Sequence, residues 1–209
     1  KGGFGGGLGR LAPHMRGSGE DQGTADAEVG EKQLAQFRQE NIGFIFQSYN
    51  LMPTMTAVEN VALPLMFKGI GKAQRVKEAK RMLKAVNLGG RMLHKPTQMS
   101  GGQQQRVGIA RAFVARPKIV FADEPTGNLD SKTTREVMEM IVGIARRHNE
   151  TLILVTHDRD IARYADRIVH LVDGDIVSDE PNCSIIGREE GAPVQGVEQN
   201  VDLASDKLA

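Results

Sequence analysis

Only one cysteine, Cys183, occurs among 209 residues. That excludes an internal disulfide framework and fits a reducing compartment. No apolar run approaches the roughly 20 residues needed to cross a bilayer, and the first residues lack the apolar segment of a signal peptide. Work at a membrane would therefore require other chains to hold this one there, peripherally and on the cytoplasmic side. Charge of one sign is also missing: the formal net charge is +1, and no basic run reaches the density of a nucleic-acid or membrane-surface patch. Nucleic acid is not an expected partner.

Glycine is plentiful but lopsided. Ten of the 24 glycines fall between Gly2 and Gly30, and a stretch of that composition is expected to be a flexible leader covering residues 1–30. Residues 181–209, from Pro181 onward, are polar and aperiodic and read as a tail. Between them, 31–180 should be the folded part. Short β-branched runs at Ile42–Phe46, Ile119–Ala122, Leu152–Val155 and Ile168–Val172 suit buried strands of a parallel sheet. Val76, Ala79, Leu83 and Val86 recur at helical spacing with Gly89 as a stop; Val137, Ile141, Ile144 and Ala145 mark a second helix, with Asp130 or Ser131 placed to cap it. Strands alternating with helices argue α/β. Residues 57–116 show no strand pattern and should form an inserted helical lobe. On that lobe Lys77, Lys80, Arg81 and Lys84 read as a solvated helix face.

Four stretches carry chemistry. In MSGGQQQRVGIARAF two glycines lie between Ser100 and Gln103 at the start of a helical pattern, where free N–H groups and the helix dipole favour an anion such as phosphate. In KIVFADEPTGNLD an apolar strand delivers Asp123 and Glu124 to a sheet edge, the place where α/β proteins bind ligands; one carboxylate can serve Mg²⁺ and the other polarise a water, although an isolated Asp-Glu pair is more often just a polar turn. LILVTHD presents His157, which could hydrogen-bond a terminal phosphate. NIGFIFQSYNL ends a strand on Gln47, whose amide oxygen can ligate Mg²⁺ or water. The other four histidines, His14, His94, His148 and His170, have no comparable context and read as surface or packing residues.

Taken together, the four stretches resemble the ATPases of ABC transporters in both wording and order. MSGGQ is similar to their signature, IVFADE to the Walker B strand, GNLD to the D-loop, His157 to the switch histidine and Gln47 to the Q-loop glutamine. The resemblance runs from about Glu31 to about Glu180. It implies an α/β P-loop NTPase domain of ABC type with a helical signature subdomain at about 57–116. It also implies a head-to-tail dimer, with itself or with a second ATPase subunit, that sandwiches ATP and Mg²⁺. By this carry-over Ser100, Gly101, Gly102 and Gln103 contact the γ-phosphate held by the opposite subunit. Asp123 and Gln47 serve Mg²⁺, Glu124 is the general base, His157 binds the γ-phosphate, and Asp130 links the two sites as well as capping a helix. The wording FRQENIGFIFQSYNLMPTMTAVENVALPL is most similar to the lipoprotein-releasing and macrolide-exporter branch. The resemblance therefore implies an integral membrane permease as partner, docked through 49–66, where Leu51, Met52, Met55 and Leu63 either face a permease helix or pack the lobe internally.

One family element is missing. No G-x-x-x-x-G-K-[ST] precedes Gln47; the sole Gly-Lys pair is Gly71-Lys72, with Met66 five residues before it and Ala73 after. That loop would supply a backbone nest, a lysine on the β- and γ-phosphates and a hydroxyl on Mg²⁺. Its loss removes several charge-assisted hydrogen bonds of about 1.5–3 kcal/mol each, so weak ATP affinity and incomplete N-terminal core strands are expected. Gly17–Gly19 followed by Glu20 and Asp21 fits a disrupted reading frame that recovers near Glu31. The alternative is a chain that no longer hydrolyses ATP and donates its signature to a partner's nucleotide.

Overall fold

The five apolar residues IGFIF form strand β1 (Ile42–Phe46), the first element of a three-stranded parallel sheet. A computed structural model describes residues 30–186; the expectations for residues 1–29 and 187–209 lie outside the described residues. The sheet continues through β2 (Ile119–Asp123) and β3 (Thr151–Val155) in the order β1-β2-β3, with Ile42 opposite Ile119 and Ile119 opposite Thr151. Alternation sends Ile45, Val120 and Ala122 into the core. A Cβ on Gly43 would stand 2.6 Å from the Ala112 carbonyl oxygen, so the helix α4 (Gly101–Phe113) rests directly on β1. The opposite face is half open. Phe44 stacks on Phe46 and Phe121, with ring centroids 5.7 and 5.6 Å apart, while Ile153 and Val155 are exposed. Parallel sheets are ordinarily covered on both faces; among the described residues β3 is an edge strand with an uncovered flank.

A helix not foreseen from the sequence, α1 (Glu31–Asn41), precedes the sheet; its residues EKQLAQFRQEN carry too few apolar positions to show a period. The inserted lobe is helical as expected. It comprises α2 (Ala57–Phe67), α3 (Lys72–Ala85), two single 3-10 turns at 89–91 and 96–98, and α4. Thr56 starts α2 with a capping box: its hydroxyl accepts from the Glu59 amide, and Glu59 Oε2 accepts from the Thr56 amide at 2.8 Å. The Thr56 hydroxyl also donates to Glu59 Oε2 at 2.7 Å; this bond foremost, then the one from the Thr56 amide, holds the Glu59 carboxyl below its ordinary range. Asn60, fully buried, uses both ends of its amide on the preceding loop, donating to the carbonyls of Met52, Met55 and Thr56 and accepting from the Met52 amide at 2.7 Å. Helix α3 buries Ala79 and Leu83, and Val86 at its C-cap, as their spacing predicts. Its stop, however, is Asn87 rather than Gly89. Asn87 takes left-handed backbone, φ 61°, and the Leu88 amide closes on the Leu83 carbonyl at 2.8 Å; asparagine tolerates that conformation, so the helix ends early and Gly89 opens a 3-10 turn instead. Gly71, the N-cap of α3, has φ −58° and makes an ordinary helix start.

The lysine-rich face of α3 is exposed as predicted. The four residues expected either to face a permease helix or to pack internally divide: Leu51 packs on the core, Leu63 and Met55 are half-buried, and Met52 is exposed, as are the neighbouring Met66 and Phe67. Helix α5 (Ser131–His148) buries Val137, Met138, Ile141, Ile144 and Ala145 beside β3 and α4.

The last predicted strand is placed differently from expectation. β4 (Arg167–Val172) does not join the parallel sheet; it pairs antiparallel with β5 (Asp175–Pro181) around Asp173 and Gly174, both at positive φ. Asp-Gly is a strong signal for a two-residue hairpin, and a hairpin needs no crossover. Val169, Leu171, Val172, Ile176 and Val177 are exposed on it. Arg167 and Asp179 form an ion pair across the two strands. Beyond β5, Asn182 donates to the carbonyls of Arg163 and Ala165, next to the four-residue helix α6 (Arg159–Ala162), and the Ile186 amide donates to Arg163.

Candidate nucleotide site

Glu124 follows β2 with its backbone in the left-handed region, φ 44°, and its amide donating to the Val155 carbonyl at the end of β3. This bend turns the carboxylate across the sheet edge toward His157. Glu124 Oε1 accepts from the His157 amide at 2.9 Å and from His157 Nδ1 at 2.7 Å, and Oε2 accepts from the Thr156 hydroxyl at 3.2 Å. A carboxylate can only accept, so Nδ1 carries the proton and Nε2 faces away from Glu124. The imidazole is 90% exposed and the Glu124 side chain only 23%. The pair therefore has one member sheltered and the other presented to solvent. Asp123, the last residue of β2, is exposed beside them.

Gln47 reaches the same neighbourhood from β1. A Cβ on Gly127 would lie 2.5 Å from Gln47 Nε2, so that position has room only for hydrogen. Asn128 Nδ2 also donates to the Gln47 carbonyl at 3.1 Å. Gln47, Asp123, Glu124 and His157 thus meet at the carboxyl edge of the three strands, where ligands of α/β proteins bind.

Ser100 to Gln103 and Asp130 form a second cluster. Ser100 is the N-cap of α4: its hydroxyl oxygen accepts from the Gln103 amide and Gln103 Oε1 accepts from the Ser100 amide at 3.1 Å. The amides of Gly101 and Gly102, at the first two helical positions, have no intrahelical acceptor. The two glycines are also closely approached by side chains inside the chain. A methyl group at 101 would stand 2.8 Å from the Tyr49 hydroxyl, and one at 102 would stand 2.9 Å from Thr133 Cγ2. Asp130 caps α5, accepting from the amides of Lys132 and Thr133 and from the Thr133 hydroxyl at 2.7 Å. These hydrogen bonds, the Thr133 hydroxyl first, hold its carboxyl below the ordinary aspartate range. Thr133 therefore lies between Asp130 and Gly102, and Arg106 of α4 pairs with Glu136 of α5 at 2.6 Å.

Residues that sequence reasoning passed over include Thr156 and Gln105. Thr156 stands next to His157 and could have been noticed. Gln105, fully buried, donates to the Pro125 carbonyl at 2.5 Å; a separation of 20 positions gave no cue. Among the described residues no helix is long and apolar enough to cross a membrane, and no group of three His, Cys, Asp or Glu side chains could hold a metal.

Comparison with known proteins decides the family. A family model described as ABC transporter matches residues 10–127. The chain is 45% identical over 172 residues to the lipoprotein-releasing system ATP-binding protein LolD of Geobacter metallireducens, covering 82% of this chain and 76% of the relative. The chain belongs to the ABC transporter family. Within that family it is of the LolD and MacB type, an ATP-binding subunit and, by family, an ATPase. It is also 45% identical over 168 residues to the macrolide export ATP-binding/permease protein MacB of Marinobacter nauticus, but spans only a quarter of that longer protein, 25%, against 80% of itself. Among solved structures this ABC chain is similar to the cassette MJ0796 as a dimer in a post-hydrolysis state bound to ADP and Pi, with a TM-score of 0.66, 42% identity, and coverage of 74% of this chain and 68% of the other.

Proposed function

We propose that the chain couples ATP binding and hydrolysis to an integral membrane permease, for export or mechanotransmission, from the cytoplasmic face of the membrane, and that its own nucleotide affinity is impaired. The pairing of Glu124 with His157 across the edge of β2 and β3 carries this reading. Glu124 is the general base: when the His157 ring swings to a phosphoryl oxygen, Oε1 is freed to take a proton from an attacking water. In that swing His157 turns Nδ1–H, the ring nitrogen that carries the proton, from Glu124 to the γ-phosphate. Ser100, Gly101, Gly102 and Gln103 serve the nucleotide of the opposite subunit, and Asp130 ties that contact to the first site. Asp123 and Gln47 suit a magnesium ion whose other ligands are phosphate oxygens and water, since this ion keeps few protein ligands. Bound there, Mg²⁺ would neutralise charge on the phosphate oxygens.

A second reading rests on the bare amides that Gly101 and Gly102 hold at the front of α4: the chain donates Ser100–Gln103 to a partner's ATP without hydrolysing its own. Both readings are tested by fluorescent ATP-analogue binding and ATP hydrolysis, with the chain alone and mixed with a phosphate-loop-bearing relative such as Geobacter LolD. Alone, the chain should bind weakly; tight binding would contradict impaired affinity. In the mixture Ser100→Arg should abolish stimulation of hydrolysis. If Glu124→Gln abolishes it too, the chain hydrolyses; if Glu124→Gln leaves it intact, the chain only donates.

A further inference from the structure

Two successive residues just after Gln47, Tyr49 and Asn50, hold left-handed backbone, with φ 62° and 46°. Such a pair is unfavourable for L residues and persists only where neighbours impose it. The neighbour is Arg111, in the last turn of α4. Its Nη1 donates to the Asn50 carbonyl at 2.5 Å and its Nη2 to the Tyr49 carbonyl at 2.8 Å. Both bonds are charge-assisted, and the planar fork of a guanidinium can collect two adjacent carbonyls where a lysine ammonium is a point donor. Burial disfavours the charge on Arg111 and pushes its pKa down, so the site spends solvation to keep the fork in place. From this turn the Tyr49 ring runs back along α4: its carbonyl lies 3.7 Å from where a Cβ on Gly108 would be, and its hydroxyl 2.8 Å from where one on Gly101 would be.

We propose that Arg111 is a positioning residue that locks the Tyr49–Asn50 turn, and through it sets Gln47 against Gly127 and the Tyr49 hydroxyl against Gly101. One guanidinium at the far end of the signature helix thereby fixes both the Q-loop glutamine and the front of that helix. The importance of this lock rests on the roles given to Gln47 and Ser100–Gln103 under Proposed function, but its existence is measured without nucleotide, so either can fail while the other stands.

The chain has two tyrosines, Tyr49 and Tyr164, so 3-fluorotyrosine labelling of the full chain gives two fluorine resonances, assigned with Tyr164→Phe. Arg111→Lys keeps the charge and loses the fork. It should shift the Tyr49 resonance toward that of exposed tyrosine, leave Tyr164 in place, and speed amide exchange across 47–51 by about tenfold, the change expected for loss of one charge-assisted hydrogen bond. Adding Asn50→Gly to Arg111→Lys removes the left-handed penalty and should slow that exchange again. Gly101→Ala intrudes on the hydroxyl without touching Arg111 and should displace the same resonance by a separate route, which covers the case of an Arg111 variant that fails to fold. A folded Arg111→Lys protein with wild-type Tyr49 resonance and exchange would overturn the proposal, as would a change shared equally by both tyrosines. So would a Gly101→Ala protein whose Tyr49 resonance does not move.

Discussion

The helical lobe and the strand region are built to different standards of closure. In the lobe, α2 and α4 both begin with reciprocal capping boxes, Asn60 hydrogen-bonds through both ends of its amide, and Val61, Leu83, Val86, Ile109 and Phe113 are sealed from solvent. In the strand region, β3 is an edge, Val155 is exposed, and the hairpin leaves Leu171 65% and Ile176 66% exposed. The lobe answers most of its polar and apolar demands at its centre, leaving Gln105 Oε1 without a partner and Phe67 and Leu93 exposed at its rim. Among the described residues the strands do so on one face only.

The sharpest way to break that contrast is to hollow the lobe. Phe113→Ala removes a fully buried ring between α4 and its neighbours, and the expected loss is about 3–5 kcal/mol in urea unfolding; a loss near zero would mean the lobe is no better packed than the hairpin. Next is Asn60→Ala, which strands the Met52 amide and the Met55 carbonyl, while the carbonyls of Met52 and Thr56 keep the backbone amides of Met55 and residue 60; the expected cost is about 2–3 kcal/mol. Thermal unfolding and protease sensitivity of the 51–56 loop should register it together.

A smaller effect is expected at the junction of α5 and β3. Both carboxylate oxygens of Glu150 are hidden from solvent without a hydrogen-bond partner, and burial raises its pKa from 4.5 to about 7, against a smaller opposing pull from Arg116. A raised folded-state pKa means the folded protein binds the proton more tightly. The associated stability is fully present below pH 4.5 and is lost as the pH rises through 7. Glu150→Gln should therefore raise stability at pH 8 by about 1 kcal/mol, discounted for partial solvation, and have little effect at pH 4; chemical denaturation at the two pH values checks the sign. Smallest of all, Leu171→Ser with Ile176→Ser on the hairpin should stay within about 0.5 kcal/mol in urea unfolding and lower aggregation. A large destabilisation would show that the hairpin is buried in solution, and the comparison of the two regions would need redrawing.

Local chemistry was legible and distant pairing was not. IGFIF and IVFAD announce strands because each is a short apolar run, and Asp130 announces a cap because its partners lie two or three residues on. The hairpin was misassigned because its second strand, DIVSDEP, has too few apolar residues to stand out, and α1 lacked a period for the same reason. At the candidate site, Glu124 and His157 could be chosen as strand ends, but their contact spans 33 residues and depends on the left-handed bend at Glu124. The Arg111 fork on Tyr49 and Asn50 spans more than 60 residues, beyond any periodicity or spacing rule.

The capping box of Ser100 has a bearing on what kind of visitor α4 can welcome. Its oxygen already takes one hydrogen from Gln103, and its own amide is spoken for by the same residue. What is left at that end is a hydroxyl proton flanked by two bare amides, three hydrogens seeking lone pairs. An incoming group rich in oxygen and poor in hydrogen finds a seat there, and an ammonium finds next to nothing.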